Sequence, residues 1–275
     1  MSGEAPPEYV SARRTLLDVL EALKAHLDAI VLVGAQAIYQ FTGDSDLPIA
    51  EFTTDADLSI NPQLLASTPL LMQAMKDANF TQVEDQLRWK SASGVFVDLM
   101  VPEALVEGTS RRSVTNLAEH GPMSARRTRG LEASLEDRER KIISALEVSD
   151  IRTFEIWVAG PAALLVAKVI KLTERFDVND PDRVPQKDAL DLFRLLQVIP
   201  TAELAQRLNR LLQSEVAAPT TTGAIQALAR DFARSDAKAP KLAAEASGLP
   251  RSQRGVLAES FALLVRDLLE VLGPN

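Results

Sequence analysis

Asp55 and Asp57 are separated by a single residue in "TTDADLSI", a segment that otherwise suits a half-buried strand. In a strand, side chains two apart share a face, so both carboxylates project together with Ala56 opposite. With attachment points ~6–7 Å apart and an effective dielectric of about 20, the two charges repel by roughly 2.5 kcal/mol. A divalent cation held between them is the simplest compensation, and an all-oxygen donor set suits Mg²⁺ or Mn²⁺. Alone, such a pair is commonly a strand end or a turn. A third carboxylate, Asp98, lies in the apolar run "VFVDLMV", where an ionised side chain is costly unless paired or metal-bound. If that strand lies beside the first, Asp55, Asp57 and Asp98 converge as candidate ligands for two metals, the arrangement used for in-line displacement at phosphorus.

Upstream, "AIVLVG" reads as a buried strand closed by Gly34, with "AQAIYQF" following as a helix. Backbone N–H groups at that helix start, around Gly34 and Ala35, are suited to a phosphate; a plain strand-to-helix turn is the ordinary alternative. Thr53 and Thr54 either hydrogen-bond a substrate or cap the strand. Leu16, Leu17, Val19, Leu20, Leu23 and Leu27 predict an amphipathic helix from Ser11 to about Leu27, and Gly43 to Glu51 a loop. After the aspartate pair come a helix in "TPLLMQAMKDANF" and three candidate strands, near 80–83, near 87–91 and around Asp98, spaced for an antiparallel meander. "RTRGL", "ISALEV" and "FEIWVA" are candidate edge strands.

Beyond Gly160 the pattern becomes helical: "PAALLVAKVIKLTERF", "PQKDALDLFRLLQVI", "AELAQRLNRLLQ", "AIQALARDFAR" and "GVLAESFALLVRDLLEVL", with Pro161 placed for a helix start. "APTTTG" and "SDAKAPKLAAEASGLP" read as loops. The expectation is an α+β protein with a boundary near Ala159. Residues 1–159 would form a mixed or antiparallel sheet flanked by helices, and 160–275 an α-helical bundle. Lys168, Lys171 and Arg175 fall on one helix face, a set of cations suited to a triphosphate. Lys187, Asp191 and Arg194 share a face of the next helix, with Asp188 adjacent. The ordinary alternative for both is a ladder of surface ion pairs.

With 275 residues, 46% of them hydrophobic, the chain can bury a substantial core. The absence of cysteine excludes disulfides, zinc-thiolate sites and thiol nucleophiles, and fits a cytoplasmic protein. Only two histidines occur, leaving little room for histidine-based catalysis; His26 reads as a surface helix residue and His120, in "EHGPM", as a turn residue. No basic start followed by an apolar run opens the chain, and no apolar stretch approaches the ~20 residues that span a bilayer, so a soluble protein with no membrane partner is expected. A net charge of −8 argues against a wholly basic nucleic-acid surface. The window holding Arg111, Arg112, Arg126, Arg127, Arg129, Arg138, Arg140 and Lys141 nevertheless raises the odds of an anionic partner, although each residue alone suits a solvated loop.

The stretches "LVGAQA", "TTDADLSI" and "VFVDLMV" together resemble the nucleotidyltransferase superfamily of DNA polymerase β, whose pattern is a strand ending in Gly-Gly or Gly-Ser, a D-x-D strand and a third acidic strand. Here Ala35 follows Gly34, so a hydroxyl contact to phosphate is missing. "PAALLVAKVIKLTERF" followed by "DPDRVPQKDALDLFRLL" is similar to the AbiEii/AbiGii-type toxins, which include the MenT-type toxins of mycobacteria. The resemblance runs from about Ile30 to Leu196.

This resemblance implies a Mg²⁺- or Mn²⁺-dependent enzyme that moves a nucleoside monophosphate from an NTP to an acceptor hydroxyl. Asp55, Asp57 and Asp98 would be its metal ligands, with Asp98 also helping to deprotonate the acceptor. Gly34, Ala35, Thr54, Lys168, Lys171, Arg175, Lys187 and Asp191 would border the nucleotide, with Lys168 and Asp188 in the catalytic set and Asp191 orienting Lys187. Lys168 and Lys171 compete for the role of the essential lysine. The implied acceptor is RNA, foremost a tRNA 3′ end contacted by Arg111 to Arg140, and the implied partner an antitoxin. Two alternatives stand beside this: a small-molecule or protein hydroxyl as acceptor, and a non-catalytic nucleotide-binding module acting through a protein partner.

Overall fold

The computed structural model describes residues 5–43, 53–83, 87–106, 117–121, 123–176 and 185–273. Arg111 and Arg112, most of the loop expected from Gly43 to Glu51, and the junction at Glu84–Gln86 lie outside these residues. Eight strands form one mixed sheet. The β-branched run Ile30–Val33 (β1) is buried along its whole length, antiparallel to Asp55–Ile60 (β2) on one side and parallel to Thr153–Ala159 (β8) on the other. Beyond β2, Phe96–Pro102 (β5) runs parallel to it. Thr81–Val83 (β3), Arg88–Lys90 (β4) and β5 form the expected antiparallel meander. Ser91 Oγ accepts from the Val95 N–H across its second turn. Arg126–Thr128 (β6) extends β5 at its far end, and Arg138–Ser144 (β7) pairs antiparallel with β8 as the opposite edge.

Two strands thus share one edge of β5. β4 reaches it at Phe96 and Val97, while β6 begins at Met100, whose other side faces Ser59 of β2. The gap between them lies at Asp98 and Leu99.

Helices Pro7–Ala22 (α1), Gly34–Thr42 (α2) and Leu71–Asp77 (α3) accompany the sheet. From Pro161 onward the described elements are all helical: Pro161–Phe176 (α4), Pro185–Val198 (α5), Thr201–Leu211 (α6), Ala218–Asp231 (α7), Lys238–Ala246 (α8) and Arg251–Leu272 (α9). One hydrophobic core runs through both parts, from Leu16 in α1 through Leu58 and Leu99 in the sheet to Phe261 and Leu268 in α9. The start of α4 is fixed by Asp137, whose Oδ2 accepts from the Ala162 and Ala163 N–H groups at 2.9 and 3.0 Å. That carboxylate lies so close to Gly160 that a Cβ there would meet its Oδ1 at 2.4 Å, so glycine is required.

Several expectations are corrected. The first helix ends at Ala22, and Lys24–Ala29 forms a 3₁₀ turn. "APTTTG" is the opening of α7: Pro219 falls in the first turn, where its missing N–H costs no helix bond, and the buried Thr220 and Thr221 hydroxyls donate to the Ala217 carbonyl at 3.1 and 2.8 Å. "SDAKAPKLAAEASGLP" contains α8, whose buried Ala239, Ala243 and Ala244 let it pack against α5 and α9. His26 and His120 are both buried, stacked edge to face at 5.3 Å. His26 Nε2 donates to the Pro69 carbonyl, and burial lowers the basicity of its ring. His120 Nε2 donates to the Ala66 carbonyl while Nδ1 accepts from the Leu71 N–H. Helical spacing gave His26 an exposed face, whereas the Pro69 carbonyl and the His120 ring meet it.

Candidate metal and nucleotide site

The parallel register of β2 and β5 places Asp57 directly beside Asp98 and Asp55 beside Phe96. Because side chains alternate along a strand, all three carboxylates leave the sheet on one face. Ligand oxygens of Asp55, Asp57 and Asp98 lie within 4.8 Å of one another. Asp98 is buried, while Asp55 and Asp57 are half-buried. Clustering three acids has an electrostatic consequence: burial first, then Asp55 and Asp98, pushes the Asp57 carboxyl up to about 7. Lys171 and Lys168 pull it the other way, which brings the helical cations within electrostatic reach of the triad. A cluster in which burial and two neighbouring acids work against the Asp57 charge is matched by a hard dication with oxygen ligands.

Gly34 sits at the start of α2 with φ +71°, in the left-handed region. A Cβ at that position would meet Asp57 Oδ2 at 2.1 Å. Glycine therefore serves Asp57 first, letting its carboxylate lie against the backbone where the helix opens. Ala35, next in the turn, is buried. Gly34→Ala is expected to lower stability by roughly 1–3 kcal/mol through positive φ and steric clash, and to weaken Mn²⁺ binding because Asp57 must move. Thermal melts and Mn²⁺ titration of the same preparation check both.

Two further contacts fix Asp55. Buried Thr53 donates to its Oδ1 at 2.9 Å, so of the two threonines Thr53 touches the triad, while Thr54 is exposed. Gln36 of α2 donates to the Asp55 carbonyl at 3.0 Å and to the Ala12 carbonyl at 3.2 Å, and accepts from Arg13 Nε at 2.9 Å. Arg13 also donates to Tyr9 and to the Ser144 carbonyl. These buried groups tie α1 and α2 to the strand that carries Asp55. Neither Gln36 nor Arg13 stood out in the sequence, since a polar residue in a helical pattern reads as solvated.

On the helical side, α4 and α5 form a compact ion cluster. Lys168 Nζ donates to Asp188 Oδ1 at 2.6 Å and Asp191 Oδ2 at 2.9 Å. Lys171 and Arg175 reach the same Asp188 at 3.1 and 2.5 Å. Burial alone would favour neutral Lys168, but Asp188 and Asp191 outweigh it and hold the ammonium above its ordinary range. Burial likewise works against the Asp188 carboxylate, yet Lys168, Lys171 and Arg175 carry it well below the usual range. Asp191 accepts from Lys168 and, at 3.4 Å, from the Tyr39 hydroxyl of α2, and of the charges around Lys187 it acts most strongly on that ammonium. Lys187 is half-buried; burial lowers its basicity, and Asp191 and Asp55 partly restore it. The structure separates the two candidate lysines: the Lys168 side chain is 6% exposed and Lys171 44%. Helix α2 links both clusters, with Gly34 against Asp57 and Tyr39 against Asp191.

The described arginines of the basic window serve several internal contacts. Arg126 Nη2 lies 3.3 Å from Asp98 Oδ1, and Arg127 2.5 Å from Glu103. Arg138 and Arg140 both stack on Trp157 at 4.5 Å, Arg140 also pairs with Asp28, and Lys141 Nζ lies 3.8 Å from the Phe41 ring centroid. A cation unremarked in the sequence, Arg88, joins Asp98: Nε meets Oδ1 at 3.1 Å and Nη2 meets Oδ2 at 2.9 Å.

No known family's sequence profile matches the chain, and no curated protein matches it. Among solved structures, the chain is similar to an antigenic nucleotidyltransferase-like protein from Paracoccidioides brasiliensis, with 16% identity over 79% of this chain and 93% of that one and a TM-score of 0.38. Among the described residues, no helix is long and apolar enough to cross a membrane.

Proposed function

We propose that the chain is a metal-dependent nucleotidyltransferase that moves a nucleoside monophosphate from an NTP to an acceptor hydroxyl. The observation that carries this reading is the convergence of Asp55, Asp57 and Asp98 within 4.8 Å beside a helix start opened by Gly34. Those three carboxylates would hold Mg²⁺ or Mn²⁺, which when bound supplies Lewis-acid neutralisation of phosphate charge. The start of α2, where Gly34 lies against Asp57, would offer backbone N–H groups to an anion. Lys171, the more exposed of the two α4 lysines, together with Arg175 and Lys187, would neutralise the triphosphate, while enclosed Lys168 holds Asp188 and Asp191 in place. The acceptor oxygen bonds to the α-phosphorus as the bond to the β-phosphate oxygen breaks, pyrophosphate leaves, and the hydroxyl proton passes to Asp98.

An RNA acceptor such as a tRNA 3′ end, a toxin role of the AbiEii/AbiGii type and a restraining antitoxin are the finer form of the reading, supported by the sequence resemblance and by the basic window. A small-molecule or protein hydroxyl is the second reading, favoured by the pairing of Arg127 with Glu103 and Arg140 with Asp28, which leaves less cationic surface for a phosphate backbone.

The test is incubation with each α-labelled NTP, Mg²⁺ and total tRNA beside an Asp55→Ala, Asp57→Ala double mutant. Label on tRNA with the wild type alone supports the full reading. Unlabelled tRNA with labelled protein or small molecules moves the acceptor to the second class. Bound NTP with no labelled product from any acceptor sinks catalysis. Rising salt should suppress transfer steeply for an RNA acceptor and weakly for a neutral one.

A further inference from the structure

Among the described residues no strand pairs the β5 edge between β4 and β6, and Arg88 emerges from β4 opposite that gap. Its guanidinium stands 4.5 Å from the centroid of the Phe96 ring, which fixes its plane. From there it forks onto Asp98 through Nε and Nη2, and Nη2 also lies 3.7 Å from Asp55 Oδ2. Arg126 approaches Asp98 from the β6 end of the same gap and is anchored beside Met100 Sδ. The Asp98 side chain is 6% exposed and Arg88 22%, so this pairing is largely shielded from water. The oxygens that Arg88 engages belong to the same set of three carboxylates suited to a metal.

Resting on the metal-dependent reading above, we propose that Arg88 is a tethered competitor of the metal: in the metal-free protein its guanidinium occupies Asp98 and Asp55, and a dication gains Asp98 only by displacing it. A guanidinium is the cation suited to this task, because its planar fork matches a carboxylate and never loses its charge. Its position on Phe96 and on the neighbouring strand lets it withdraw without unpairing β2 from β5. The consequence is a site that stays electrically balanced when empty and binds metal more weakly than its three acids would alone. Arg126 is a second, lesser brake, since it makes one contact to Asp98 at 3.3 Å.

The experiment is Mn²⁺ titration of the full chain, read by the electron paramagnetic resonance of free Mn²⁺, without nucleotide. The proteins compared are wild type, Arg88→Met, Arg88→Lys and Arg126→Met, each checked for a cooperative melt. Methionine keeps a long unbranched side chain beside Phe96 while removing the guanidinium and its charge. Arg88→Met is expected to bind Mn²⁺ about tenfold more tightly than wild type and Arg126→Met less so, with Arg88→Lys, which keeps the charge but loses the fork, between wild type and Arg88→Met. Equal or weaker binding by Arg88→Met, beside a wild type that does bind, overturns the competitor role and leaves the metal-dependent reading intact. Failure of every folded variant to bind millimolar Mn²⁺ overturns both.

Discussion

Asp57→Asn is expected to cut nucleotide transfer by orders of magnitude while making the metal-free protein more stable at neutral pH. The sign follows from the direction of the shift. Asp57 is pushed up to about 7 in the folded chain against 3.8 for the ordinary side chain. Between those values the folded state keeps a proton that the unfolded state releases, so this residue's contribution to stability declines as pH rises through that window. Asparagine has no proton to lose and does not share the decline. The mutant's advantage should be small below about pH 4, grow through pH 5–7 and level off above, reaching on the order of 2–4 kcal/mol. Saturating Mg²⁺ should reverse the order, because only the wild type gains by binding it. Activity should fall by about 10²–10³-fold or more. Melting temperatures from pH 4 to 8, with and without Mg²⁺, check the prediction; a mutant less stable than wild type at pH 7.5 without metal would sink it.

Lys168→Ala and Lys171→Ala should part company sharply, although the residues lie on one helix face. Removing Lys168 leaves two enclosed carboxylates, Asp188 and Asp191, without their shared ammonium. Breaking a buried ion pair from one side costs about 3–5 kcal/mol, enough to unfold a marginal protein. Lys171 is 44% exposed, so its pair with Asp188 should contribute no more than about 1 kcal/mol. Lys171→Ala should melt near wild type yet bind NTP more weakly. Denaturant unfolding and nucleotide titration separate the two roles; equal stability of both mutants would refute the assignment.

The elements that sequence reasoning located well are those whose signal is local. The aspartate spacing, the apolar run around Asp98 and the short turns of the β3–β4–β5 meander each constrain themselves within a few residues, and their convergence needed only that β2 and β5 be neighbours. Pro161 likewise marks the start of α4, although its carboxylate cap comes from Asp137, in the bend just before β7. What stayed hidden depends on sheet order. Arg88 and Arg126 meet at Asp98 only because two strands share one edge of β5. The cations of α4 look available by helical spacing, yet Asp188 on α5 engages all three. His26 and His120, 94 positions apart, are buried by each other and by segment 65–71, a pairing no periodicity announces.

Among the described residues, β7 closes the sheet with a partner on one side only. Its first four positions are Arg138, Glu139, Arg140 and Lys141. Another sheet adding itself here would meet a row of charges already engaged, Arg138 and Arg140 on Trp157, Glu139 by Arg207 and Lys141 over Phe41, before gaining a single ladder bond. The chain thus carries its own guard against aggregation along the one long edge that its topology leaves open.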